Sequence, residues 1–274
     1  MDLQKLLFLA AAVVFGLACR SFDNRYLLKL GWLSYLGASY LAGFFLTGSH
    51  VAGAFGVSLW FLLPWVEIVG YVRFLRFPER SEVKHRFAPS QEVFPELEEL
   101  TEDMIEEGFE KVEDTGWNWG GADHFVRLFA HEERRAQAAI TQVRFEKIDI
   151  VFSYVSVTSR ALDGRIFTTT NYPFAPAMRF VPGQIVNREV HLDTLGEMMS
   201  SHEDFLDAHG LGQEDLEEAD PENLASVIER DLGAQIEHNL KIGVLEPAGE
   251  NGVRYSWRGC FYLWFEAVKD MVRV

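Results

Sequence analysis

Histidines beside carboxylates are the residues of this chain best suited to chemistry, and they fall in three places. Asp123-His124 and His131-Glu132-Glu133 bracket one short stretch, while His191, Asp193, His202, Asp204 and His209 crowd another. A histidine paired with a carboxylate can serve as a general base or a metal ligand. His202 and His209 are seven residues apart, so one helix face presents both. Zinc hydrolases, however, place two histidines at i and i+4 around a glutamate, and no His-Glu-x-x-His occurs. The pattern predicts surface and capping histidines and no metal site.

Hydroxyl nucleophiles fare no better. No Gly-x-Ser-x-Gly elbow is present, and Thr158-Ser159 and Thr168-Thr169-Thr170-Asn171 read as hydroxyls on strand faces that pair across a sheet. A catalytic site, if one exists, is expected in the polar cluster Arg160, Asp163, Thr169, Asn171 and His202 near the Asp163-Gly164 turn. The Gly-rich stretch Trp117-Asn-Trp-Gly-Gly-Ala122 lacks the strand–GxGxxG–helix setting of a dinucleotide site and the Lys-Ser/Thr of a P-loop. It reads as a loop, and no cofactor is implied. Two cysteines, Cys19 and Cys260, make neither a disulfide framework nor a metal cluster.

The elements that would carry these residues are set by a split in charge. Residues 1–76 hold six Lys/Arg and three Asp/Glu, whereas 77–274 hold 19 and 38, a net charge of −19. A surface that acidic argues against nucleic acid as a partner, because phosphate binding needs a positive face. The first part is nearly all apolar. Runs at about 30–48 and 51–72 each approach the 20 residues that cross a ~30 Å hydrocarbon layer, and the short Gly48-Ser49-His50 link makes them an antiparallel hairpin. A third run, about 3–19, has one preceding Lys and no clear cleavage site, so it is read as a short or tilted span rather than a leader.

Basic residues then give a sidedness. Arg20, Arg25 and Lys29 separate the first two runs, and Arg73, Arg76, Arg80, Lys84 and Arg86 follow the third, whereas the Gly48–His50 link has none. The positive-inside bias places everything after residue 73 in the cytoplasm of a cell-membrane protein. Glu67 lies inside the third run, where an ionisable group suggests either an interfacial ion pair or a role in a pore or transporter. Small residues four apart, Ala38/Ala42, Ser39/Gly43 and Ala52/Gly56, allow close helix packing within the hairpin or between copies of the chain.

Residues 77–91 form a basic connector, and 92–274 an acidic α+β domain with an antiparallel sheet and flanking helices. Acidic 92–114 reads as an amphipathic helix around Leu97, Leu100 and Met104. Strands are expected at 125–131, 138–145, 149–158 and 165–170, with helices over 193–208 and 221–243 and a last strand at 253–257. Over 259–273, Phe261, Trp264, Phe265, Val268 and Val272 recur at helical spacing, which suits either a helix lying in the membrane interface or a core helix.

The functional expectation is an integral membrane protein whose acidic cytoplasmic domain is an interaction or regulatory module. Its partners would be the lipid bilayer together with another protein or further copies of itself. The alternatives are a hydrolase using Arg160, Asp163, Asn171 and His202, and a pore subunit using Glu67.

Overall fold

In the absence of other chemistry, long apolar runs satisfy their backbone groups as helices, and the N-terminal third folds this way. The computed structural model describes residues 3–22, 24–145, 150–192 and 194–273. Helices α1 (Leu3–Arg20), α2 (Arg25–Thr47) and α3 (His50–Gly70) follow in order, and a single 3-10 turn (Val72–Phe74) extends α3. Asn24 caps α2 by accepting hydrogen bonds from the Tyr26 and Leu27 amides. Gly48, with φ +72°, ends α2, and Ser49 caps α3. Two residues thus reverse the chain.

Among the described residues two helices are long and apolar enough to cross a membrane, α1 and α3 with its extension; α2, which holds the run at 30–48 expected to span, is not one of them. Helix α2 lies in sequence between them and turns its hydroxyls to neighbours. Ser34 donates to the Ala12 carbonyl at 2.6 Å, and Ser39 Oγ accepts from Trp60 Nε1 at 2.8 Å. The small residues are used inside this one chain. A Cβ on Gly56 would sit 2.6 Å from the Ser39 carbonyl oxygen, and one on Gly43 would strike the Ala52 carbonyl. Close backbone approach explains the spacing.

The chain divides into two compact units: Met1–Leu75 with Ala175–Ala177 and Tyr255–Val274, and Arg76–Phe174 with Met178–Arg254. The first therefore includes α7 (Trp257–Arg273), the amphipathic helix that the sequence grouped with the soluble domain. It packs on α3: Trp264 Nε1 donates to the Phe61 carbonyl at 2.7 Å, and Phe261 lies 4.6 Å from Trp65 between ring centroids. The Arg73 guanidinium sits over the Trp257 ring.

The second unit runs β1 (Phe77–Pro78), β2 (Lys84–His85), α4 (Leu97–Glu106), β3 (Glu110–Trp119), β4 (Ala122–His131), β5 (Ala136–Phe145), β6 (Ile150–Arg160), β7 (Ile166–Thr170), β8 (Gln184–Arg188), α5 (Leu195–Ala208), α6 (Leu224–Lys241), β9 (Leu245–Pro247) and β10 (Gly252–Tyr255). Strands β2 to β8 form one seven-stranded sheet in sequence order, and β1-β10-β9 form a small second sheet.

The large sheet is mixed, which corrects the antiparallel expectation. Its pairs are antiparallel except β7·β8, which run parallel from Ile166↔Gln184 to Thr170↔Arg188. The Pro-rich segment 171–183 is long enough to carry the chain back before β8 starts. Asn239 of α6 pins this segment, bonding both the amide and the carbonyl of Arg179.

A second correction concerns the acidic stretch. The helix ends at Glu106, and 110–119 is a strand whose alternation is concealed by its charges. Trp117–Trp119 belong to that strand, and only Gly120-Gly121, with φ +60° and +85°, make the hairpin turn to β4. A Cβ on Gly120 would collide with the ring of Phe77. The expected strand start at Asp149 and helix start at Asp193 lie outside the described residues.

Period-two alternation gives the sheet two different faces. Phe125, Phe129, Ile140, Val155 and Val157 point to one, where they meet Leu97 and Met104 of α4 and Met198 and Met199 of α5. Val126 and Leu128 point to the other, under Leu224 and Ile228 of α6.

Candidate functional site

The register that builds the sheet also parts the polar residues expected to form a catalytic cluster. Arg160 is opposite Ile166, so it lies on the α6 face, whereas Thr169 lies on the α5 face. His202 enters from α5, 1 % exposed, with Nδ1 3.0 Å from Thr169 Oγ1 and Nε2 3.1 Å from Ser159 Oγ. Burial pushes its pKa down to about 4, so it is neutral at physiological pH and shared between two hydroxyls. Thr169 and His202 do meet, but inside the core.

The other members are elsewhere. Asp163 sits in the exposed turn, where its carboxylate accepts from the Arg165 amide and Nε, and these bonds hold its pKa below the usual range. Asn171 Oδ1 accepts from the Val155 amide at 2.7 Å and so continues the β6·β7 ladder. His209 bonds the Phe205 carbonyl and packs on the rings of Phe205 and Phe167. His124 stacks on Trp117 at 5.0 Å, its pKa pushed by burial down to about 4, while Asp123 pairs with Arg86. His131 accepts from the Arg134 amide at the β4–β5 turn. Among the described residues no group of three or more His, Cys, Asp or Glu side chains could hold a metal ion.

In the helical unit, Glu67 is exposed on α3, and no ion pair involves it among the described residues. Phe261 and Phe265 are more than half exposed although Trp264 is held by its bond to α3.

The α6 face of the sheet carries a groove. About 200 Å³ in volume, it runs between the sheet and α6, with Trp117, Val126 and Leu128 at one end and Ile228 and Leu232 above. Its floor is polar because alternate positions of three strands carry hydroxyls and amides. Gln137 faces Thr158, Thr141 faces Tyr154, and Thr158 faces Thr168, the last pair with hydroxyls 2.9 Å apart. Arg160 lines the same groove and pairs through Nη2 with Asp231 of α6. Its Nε is buried and has no hydrogen-bond partner among the described residues. Burial raises the Tyr154 phenol to about 12, so it stays protonated and serves as a donor, not a base.

This arrangement can bind but holds no nucleophile with a base at hand. Sequence reasoning singled out Arg160, but as part of a hairpin cluster with Asp163, Thr169, Asn171 and His202, and missed Asp231, Tyr154 and the glutamines. The signal was present in β6, where Tyr154, Ser156 and Thr158 alternate with Val155 and Val157. A second polar cluster also went unread: Arg127 and Asp114, both buried, pair at 2.8 Å, and Arg127 bonds Thr101 of α4. Comparison with protein-family models, curated proteins and solved structures finds no match to this chain.

Proposed function

We propose that this chain is a multi-pass cell-membrane protein whose acidic α+β domain faces the cytoplasm and acts as an interaction module within a membrane complex. The observation that carries the reading is the chain's return to its apolar unit. The sheet domain begins at Arg76, after α3, and the chain rejoins the helical unit at Tyr255, where α7 packs on α3. A domain inserted this way is tethered at both ends, which suits presentation of a surface at the bilayer better than release of a mobile enzyme. The hydroxyls within reach of His202, those of Ser159 and Thr169, are buried in the core with it and closed to a substrate, which favours the same choice.

Sidedness rests on the basic residues. Arg20 and Arg73 lie at the end of the helical unit where α1 stops and α3 stops, opposite the Gly48-Ser49 link, as the positive-inside bias requires. Gly43 and Gly56 pack inside the α2–α3 hairpin, so their spacing calls for no second copy, and the reading takes as partner a protein that recognises acidic surface.

The test is recovery from native membranes. The protein should stay in the pellet after an alkaline carbonate wash, a reporter fused after residue 274 should be cytoplasmic, and a cross-linked partner should be captured at low salt and lost at high salt. Release by carbonate, an external reporter, or one monodisperse lone species at both salt levels would each count against the reading.

A further inference from the structure

The groove beneath α6 goes beyond an interaction surface. A sheet face covered by a helix is ordinarily apolar, since burying polar groups without partners costs free energy. Here Thr141, Ser156, Thr158 and Thr168, with Gln137 and Gln184, line about 200 Å³ of unfilled space. That space would hold roughly six or seven waters at ~30 Å³ each, or one small molecule of the same bulk.

Charge selects the class of molecule. The Arg160 cation is already matched by Asp231, so the groove is neutral as a whole. An anion would have to displace Asp231 inside a domain that is strongly acidic overall. A cation would find its only lining carboxylate taken. What remains unmet is the Arg160 Nε–H, a buried donor, beside side-chain amides and hydroxyls that both donate and accept. Trp117, Val126, Leu128, Ile228 and Leu232 offer the apolar counterpart.

We infer that this groove is a binding site for a small neutral carboxamide with a compact apolar body. Its carbonyl oxygen accepts from Arg160 Nε–H, its NH₂ donates to the hydroxyl and glutamine floor, and its apolar end lies under α6. Such a ligand would touch both α6 and the sheet and so couple the two.

The probe is benzamide, with benzoate and benzylamine as charged isosteres, added to the full-length chain in nonionic detergent carrying methyl-labelled Ile and Leu. Benzamide should shift the Ile228 and Leu232 methyl signals saturably, and each charged isostere should bind roughly tenfold more weakly or worse. Ser156→Leu fills the groove and should abolish the shifts while leaving the melting temperature unchanged or raised. Should that variant not fold, Gln137→Leu serves the same purpose from the neighbouring strand. Absence of saturable shifts, meaning the groove holds water alone, overturns the inference. Equal response to all three probes, or shifts that persist in the filled variant, overturns it as well.

Discussion

His202 gives the most direct link between this fold and a measurement. It is buried between Thr169 and Ser159, and its folded pKa of about 4 lies below the ordinary 6.5. The native state therefore resists a proton that the unfolded chain takes up readily. Stability from this group is fully present above pH 6.5 and is lost as pH falls from 6.5 to about 4. At roughly 1.4 kcal/mol per pH unit, that interval amounts to about 3 kcal/mol, a large share of the 5–15 kcal/mol typical of a domain.

His202→Gln keeps a donor and an acceptor but cannot titrate. Near pH 7.5 it should unfold more easily than the parent by about 1–2 kcal/mol, because its amide meets the two hydroxyls less well. Near pH 4.5 that difference should vanish or reverse, since only the parent has lost the histidine contribution. His124 is depressed in the same way, so the parent's acid slope contains both, and the difference between the proteins isolates His202. Denaturant melts in nonionic detergent, followed by near-UV circular dichroism, supply the values. A gap between parent and variant that does not change with pH would refute the reasoning.

Three further outcomes follow from other contacts. Arg127→Met leaves Asp114 buried with Lys111 as its remaining partner and should cost about 3–5 kcal/mol, whereas Arg127→Met with Asp114→Leu should recover most of it; unfolding midpoints of the two variants decide. Gly120→Ala puts a Cβ against Phe77 at φ +60° and should cost about 1–3 kcal/mol, with loss of protection at the Trp119 and Ala122 amides in hydrogen exchange. Trp264→Phe removes the bond to the Phe61 carbonyl and should make α7 the first segment cleaved in limited proteolysis of the detergent-extracted protein, with cleavage elsewhere unchanged.

Much of the architecture was legible from local pattern. The largely apolar sequences of α1 and α3, the Asp163-Gly164 turn and the α6 stripe from Leu224 to Leu240 each follow from composition and period. Strand β3 was not legible because Glu110, Glu113 and Asp114 sit among helix-favouring acids, and their strand character depends on pairing with β4. Strand β8 escaped for a related reason: five residues after a Pro-rich segment carry little signal until β7 offers a parallel partner. The candidate site was half legible. Arg160 could be singled out as a charge near a hairpin, but nothing local ties it to Asp231, which is 71 residues away in sequence.

By itself the amino-acid sequence determined where apolar helix ends and acidic sheet domain begins, since hydropathy and charge are properties of each segment alone. Only the tertiary structure decided which polar groups meet. Side chains alternate between sheet faces, so Arg160 and Thr169, nine residues apart, are separated by the sheet itself. Residues from β5, β6, β7 and α6 converge on one groove because strand register and helix docking are long-range, and no window along the chain contains them.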